Sequence, residues 1–299
     1  MTEPVKRVEY DEFGLFHENA EEFGLPYDGP PTVRREAVPV DDDRKLSALV
    51  WGTDEPELVF LHGGAQNAHT WDTVAMALGR PLVAIDLPGH GHSDGGRQGS
   101  LAVEDNAADV ATVVRTLAPA ARAVIGMSLG GITTIALAAH SPELVHKVVL
   151  VDITPGVNAE KSKAITDFVD GPESFPSFDE ILERTVHFNP TRSVSSLRRG
   201  ILHNALQRED GSWVWRYARF RTGETRRFTD MNTLWEHLGA IEVPLMLVRG
   251  TRSGSVVDDA DEAELLRRLP NARVERVDAG HSIQGDAPLE LARLIADFV

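Results

Sequence analysis

The run Gly126-Met127-Ser128-Leu129-Gly130 has the composition of a reactive-serine turn. A G-x-S-x-G between a strand and a helix holds the serine in a tight, strained conformation, and the flanking glycines let strand and helix approach. The hydroxyl then stands exposed at a helix N-terminus, where partial positive charge favours a developing anion. Ala121–Met127 reads as strand and Leu129–Ala139 as a helix of small and apolar residues, so the context is right. An ordinary glycine-rich turn is the plain alternative.

Acyl transfer at a serine needs two further parts. The first is a set of N–H donors for the tetrahedral oxyanion. Leu129, just after the serine, and Gly64, in the loop His62-Gly63-Gly64, are the candidate donors through their backbones. His62 itself reads as a brace for that loop. The second part is a base, and His281 in Ala279-Gly280-His281 suits it by type and by chain order after the serine. His90-x-His92 offers two metal-ligand side chains but no clear third, so no metal is assigned.

These residues need a scaffold that brings chain-distant loops together. Short apolar runs alternate with helical patterns. The expected strands are Thr32–Val40, Leu46–Trp51, Glu57–Leu61, Leu82–Asp86, Ala121–Met127, Val148–Asp152, Pro244–Arg249 and Arg273–Val277. Runs such as Leu82–Asp86 are apolar throughout, the mark of strands buried on both faces. The alternation lapses between about Thr154 and Ala240, where helical patterns dominate. The fold class expected is α/β: a mostly parallel central sheet with helices on both faces, plus an inserted, mainly helical lid. The boundaries are an N-terminal extension 1–31, a core of 32–153 and 241–299, and a lid of 154–240.

Composition narrows the function classes. The chain has 299 residues, a formal net charge of -16 and no cysteine. Disulfides, thiolate nucleophiles and Cys-bound metal are excluded. A strongly acidic surface without a basic stripe argues against nucleic acid and anionic membranes as partners. No apolar stretch approaches the roughly 20 residues needed to span a bilayer. The N-terminus carries no apolar run of a signal peptide, and a cytoplasmic location is expected.

The runs FLHGGAQNAHTWD, VAIDLPGHGHSD, GMSLGG, VVLVDITP and DAGHSIQGDAP together resemble the alpha/beta-hydrolase superfamily, over nearly all of residues 32–299. Within it the chain looks most like the serine esterase and thioesterase branch that resembles bacterial acyl-CoA esterases. The resemblance implies a cofactor-free serine hydrolase with a lid over its pocket. The chain departs from the common pattern at the acid: Ser253 stands where an Asp is expected after the strand Pro244–Arg249. Some members take the acid from the end of the strand after the nucleophile helix, which here is Asp152. That leaves Ser253 as a possible accessory group, and Asp258 and Asp259 as alternatives with a plain role as helix caps.

The expected function is hydrolysis of a small-molecule carboxylic ester or thioester by Ser128, His281 and Asp152, with Gly64 and Leu129 holding the oxyanion. C–C bond hydrolysis, lactone hydrolysis and perhydrolysis use the same groups, and a silent small-molecule receptor is the reading of another class. Trp213, Trp235 and His203 in the lid are the candidate pocket residues. Arg198, Arg199, Arg216, Arg219 and Arg221 read as a solvated helix face. The natural substrate, the acyl length and the oligomeric state stay open.

Overall fold

The computed structural model describes residues 7–98, 100–218 and 227–299. Its first regular element is α1 (Phe16–Phe23), inside the expected extension. Phe16 is fully buried and meets Trp51 edge-on, with ring centroids 5.1 Å apart. The extension is thus anchored by apolar burial.

The core begins with β1 (Val33–Pro39) and β2 (Lys45–Trp51), an antiparallel pair. Then come β3 (Leu58–Leu61), a 3₁₀ turn at Ala68–Trp71, α2 (Asp72–Leu78) and β4 (Leu82–Ile85). They are followed by α3 (Val103–Leu117), β5 (Ala123–Met127), α4 (Leu129–His140) and β6 (Val148–Val151).

The stretch between β6 and the next core strand holds α5 (Lys163–Val169), β7 (Ser174–Phe175), α6 (Phe178–Phe188) and α7 (Val194–Asn204). It continues with β8 (Ala205–Gln207), β9 (Trp213–Trp215) and α8 (Met231–Gly239). The core resumes with β10 (Leu245–Gly250), α9 (Asp259–Arg268), β11 (Arg273–Val277), α10 (Ile283–Asp286) and α11 (Pro288–Phe298).

Eight strands form one sheet in the order β1-β2-β4-β3-β5-β6-β10-β11. From β4 to β11 every pairing is parallel. All residues of β3, β4, β5 and β6 are buried, as the unbroken apolar runs require. Two apolar clusters flank the sheet. One holds Val110, Ile135 and Leu247, the other Phe60, Trp71 and Leu291.

Parallel strands send their C-terminal ends to the same edge. Four of them, β3, β5, β6 and β11, are followed there by the residues with candidate chemistry. Ligands of open α/β sheets bind at this edge.

The insertion between β6 and β10 is less purely helical than expected. β7, β9 and β8 make a small antiparallel sheet in that order. The sequence pattern predicts a helix over Val194–Gln207, and the observed α7 stops at Asn204, where β8 begins. The sequence pattern predicts a strand-like piece over Trp213–Phe220; the observed strand is Trp213–Trp215, and positions 219–221, with Arg219 and Arg221, lie outside the described residues.

Candidate functional site

Ser128 sits between β5 and α4 with φ 50° and ψ -116°. That backbone is strained for any residue with a β-carbon and costs on the order of 1–3 kcal/mol. Only glycine fits on either side. A β-carbon on Gly126 would collide with the Gly130 carbonyl, and one on Gly130 would run into the Leu61 carbonyl. Three non-glycine residues among the described ones have positive φ: Ala65, Ser128 and Asp152. They lie in the loops after β3, β5 and β6, so strain concentrates where the candidate groups converge.

Asp152 follows β6 and is fully buried. Its Oδ1 accepts from the Gly250 N–H at 2.8 Å and the Ser255 hydroxyl at 2.6 Å. Its Oδ2 accepts from the Val256 N–H at 3.1 Å and from His281 Nδ1 at 2.9 Å. An ionised carboxylate only accepts, so the His281 proton sits on Nδ1. The other ring nitrogen, Nε2, is buried and bonded to no group among the described residues. It is the position a general base keeps free.

The loop after β3 lies against the serine. A β-carbon on Gly63 would stand 3.3 Å from that of Ser128. In this loop the Gly63 N–H donates to Gln66 Oε1 and the Ala65 N–H to His90 Nε2. The Gly64 N–H donates to no group among the described residues, and Leu129 is the first residue of α4, whose N–H has no intrahelical acceptor. Two backbone donors are therefore available on the two sides of the elbow.

His62 is fully buried: Nε2 accepts from the Leu87 N–H at 2.9 Å and Nδ1 donates to the Gly63 carbonyl at 2.7 Å. Burial and the neighbouring His90 push its pKa down to about 3, so it is neutral at physiological pH. It braces the loop and is no base. Both nitrogens of His90 are likewise bonded, to the Ala65 N–H and the Pro88 carbonyl, which leaves neither for a metal.

The alpha/beta hydrolase fold model matches residues 56–288. The chain belongs to this family. An esterase of Mycobacterium tuberculosis, Rv0045c, is 45% identical over 296 residues, covering 95% of this chain and 94% of that protein. A crystal structure of that esterase superposes with a TM-score of 0.84 at 44% identity, covering 98% of this chain and 99% of the other. An sn-1-specific diacylglycerol lipase of Xenopus laevis, ABHD11, is 26% identical over 256 residues, covering 82% of this chain and 80% of that protein.

Several residues fall elsewhere than the sequence suggests. In this alpha/beta hydrolase, Ser253 is exposed, and the serine that reaches Asp152 is Ser255, two residues on, because Val256 N–H and Ser255 together wrap the carboxylate. Asp258 caps α9, accepting from the Asp261 N–H, and pairs with Lys161. Asp259 is exposed and pairs with Arg249. Neither points to His281.

A cavity of about 170 Å³ opens beside the loops, lined by Ala65, Gln66 and Ser282 from the core and Phe168, His203 and Trp215 from the insertion. His203 is on its wall as expected. Trp213 is not. It is buried against Phe178, with centroids 5.0 Å apart. Trp235 lies under the Arg268 guanidinium at 5.4 Å, on the first apolar cluster.

Two contributors were missed or misassigned from the sequence. Gln66 bonds both the Gly63 N–H and the Ser282 hydroxyl, tying the loop after β3 to the His281 loop. Arg199 is buried rather than solvated. It donates to Asn19 Oδ1 at 3.0 Å and pairs with Glu22, clamping α1 to α7.

Proposed function

We propose that the protein is a serine esterase that cleaves a carboxylic ester or thioester through an acyl-enzyme on Ser128. The hydrogen bond between His281 Nδ1 and Asp152 Oδ2 carries this reading. It fixes the tautomer that leaves Nε2 to accept a proton, and it places a charge where the imidazolium forms. The similarity to a mycobacterial esterase over nearly the whole chain supports the same class of bond.

In this scheme Ser128 Oγ attacks the carbonyl carbon while His281 Nε2 takes its proton. The carbonyl oxygen gains the charge and is held by the Gly64 and Leu129 N–H groups. His281 returns the proton to the departing alcohol or thiol, leaving the acyl group on Ser128. Water then attacks the acyl carbon as His281 Nε2 takes its proton, the bond to Ser128 Oγ breaks with return of that proton to Ser128, and the carboxylic acid leaves. Each part of the scheme is a protein group, so no cofactor enters.

The insertion 154–240 acts as the lid of this site, and its Phe168 and Trp215 wall the acyl pocket. The extension 1–31 holds the lid by way of Arg199 and Glu22. A graded panel of nitrophenyl esters and acyl thioesters tests the reading. Turnover of short acyl esters, abolished with Ser128, is expected. A panel without turnover, alongside cleavage of a carbon–carbon bond in a diketone, would reassign the reaction.

A further inference from the structure

Four side chains on the cavity wall carry charge: His69, Asp72, Arg192 and Arg199. Three of them are matched. His69 Nδ1 donates to Asp72 Oδ2 at 2.9 Å. Against the cost of burial, Asp72 and Glu12 push the His69 pKa up to about 9, so it is a cation beside its acid. Arg199 donates to Asn19 Oδ1 at 3.0 Å and to Ser195 Oγ at 2.9 Å, and it pairs with Glu22. Arg192 has no counter-ion among the described residues. Its side chain makes one hydrogen bond among them, from Nη2 to Ser196 Oγ at 2.6 Å. Asp286 and Glu22 act on it only from further away. Both are engaged elsewhere, Asp286 by the Gly280 N–H at 2.8 Å and Glu22 by Arg199 and Ser193.

The guanidinium is set into the wall. Arg192 lies just before α7 in the insertion and reaches α10 of the core, the short helix that follows His281. A β-carbon on Gly285 of that helix would stand 2.8 Å from Arg192 Cζ and 2.9 Å from Nη1, so the missing side chain at 285 makes the seat. Nε is shielded from solvent and bonded to no group among the described residues. A buried cation with an unmet donor is unfavourable, and burial draws the pKa of this guanidinium below its ordinary value. An anion in the cavity would replace the lost water with charge-assisted hydrogen bonds. Ser196 and Asn189, bonded to Arg192 through side chain and backbone, are also on the wall, and Phe168 and Trp215 supply its apolar part.

We propose that Arg192 binds a carboxylate carried by the substrate, at the end of the acyl group that enters the cavity. The inference rests on the esterase reading of Ser128 and names its substrate class: the half-ester or half-thioester of a dicarboxylic acid. One carboxyl group is joined to the alcohol or thiol and is cleaved at Ser128. The other is ionised and is held by Arg192. The chain between them packs on Phe168 and Trp215. Arg192 determines specificity and takes no part in the proton transfers. Its seat on the helix after His281 places the anion site beside the loop that carries the base.

The test compares the mono-nitrophenyl esters of adipic and suberic acid with nitrophenyl hexanoate and octanoate, neutral chains of the same lengths. In the wild type kcat/KM favours the acidic ester of each pair by about 10-fold or more, chiefly through KM. Arg192→Met lowers this preference about 10–100-fold, the worth of a hydrogen bond to a charged group. Gly285→Ala, which keeps the cation but displaces it, lowers it as well. Arg192→Lys retains part of it, since the charge stays and the planar fork is lost. Arg293→Met, on the exposed face of α11, leaves it unchanged. Calorimetric titration of Ser128→Ala with adipate reads the same site without turnover: adipate binds, and adding Arg192→Met removes the binding. If no ester is cleaved while adipate still binds through Arg192, the esterase reading fails and the anion site stands. A wild type that does not favour the acidic esters, or a preference that survives Arg192→Met, would overturn the proposal. So would Arg192→Met that slows both esters of a pair alike with a fall in melting temperature, which would make Arg192 a structural tie between α7 and α10.

Discussion

Asp152 and His281 are 129 positions apart in the chain, and their Oδ2 and Nδ1 atoms are 2.9 Å apart. The sheet order explains the meeting. Strand β6 ends in Asp152, β11 leads to His281, and only β10 lies between them. Gly250, at the end of β10, donates its N–H to Asp152 and has no side chain to block the approach. A β-carbon there would press on the Gly280 carbonyl at 2.6 Å and on Asp152 Oδ1 at 3.3 Å.

If Asp152 orients His281, Asp152→Asn lowers turnover by about 10³–10⁴ with little change in folding, because the amide favours the wrong tautomer. Asp258→Asn costs at most about 1 kcal/mol of stability, as asparagine also caps helices. Paired steady-state assays and melting curves separate the two. Inactivation by Asp258→Asn alone would move the acid to the loop before α9.

Ser255 donates to the Asp152 carboxylate, whereas Ser253 is exposed. Ser255→Ala is therefore expected to lower kcat about 10-fold, through the loss of one charge-assisted bond worth about 1.5 kcal/mol. Ser253→Ala stays at the wild-type rate. Equal effects of the two would show that the bond to Ser255 does not matter to the base.

Phe168 and Trp215 line the cavity, with ring centroids 5.7 Å apart. Replacing either by alanine is expected to shift preference towards longer or bulkier acyl groups while the shortest ester is cleaved almost as before. Trp235→Ala is expected only to lower the melting temperature. A uniform loss over all acyl lengths in Phe168→Ala would mean that these rings pack the insertion and do not meet substrate.

His62 supplies a pH dependence. Its folded pKa of about 3 lies below the ordinary value of about 6.5, chiefly because it is buried and further because of His90. The unfolded chain binds the proton more readily. The stability held by neutral His62 is thus complete above pH ~6.5 and falls by up to about 1.4 kcal/mol per unit as pH drops towards 3. Nitrogen chemical shifts of the ring are expected to stay those of the Nδ1–H tautomer down to the onset of acid unfolding. Protonation of His62 in the folded protein near pH 6 would contradict the bracing role.

Much of the fold was legible because buried parallel strands leave unbroken apolar runs. Arg273–Val277 matches the observed strand residue for residue. The serine turn was legible because the close contacts at positions 126 and 130 admit only glycine, and those glycines stand at fixed offsets from the serine in the sequence. What stayed hidden depends on contacts across the chain. Helix α1 is held by Trp51 and Arg199, far along the sequence, so its short pattern carried little weight. The choice of Ser255 over Ser253 turns on how one loop wraps a carboxylate from another strand. The pocket aromatics could not be ranked either, because Trp213 and Trp215 share one face of β9 and only the position of the surrounding helices brings Trp215 alone to the cavity.

In the proposed reaction Ser128 is the nucleophile. Intact-mass spectrometry of the protein treated with a fluorophosphonate, followed by peptide mapping, reads this directly. One adduct per chain is expected, on Ser128, with ester turnover lost in step. Ser128→Ala is expected to fold, to take no label and to retain less than about one-thousandth of the activity. A folded Ser128→Ala that still turns over ester near the wild-type rate, or a label on another residue, would contradict it.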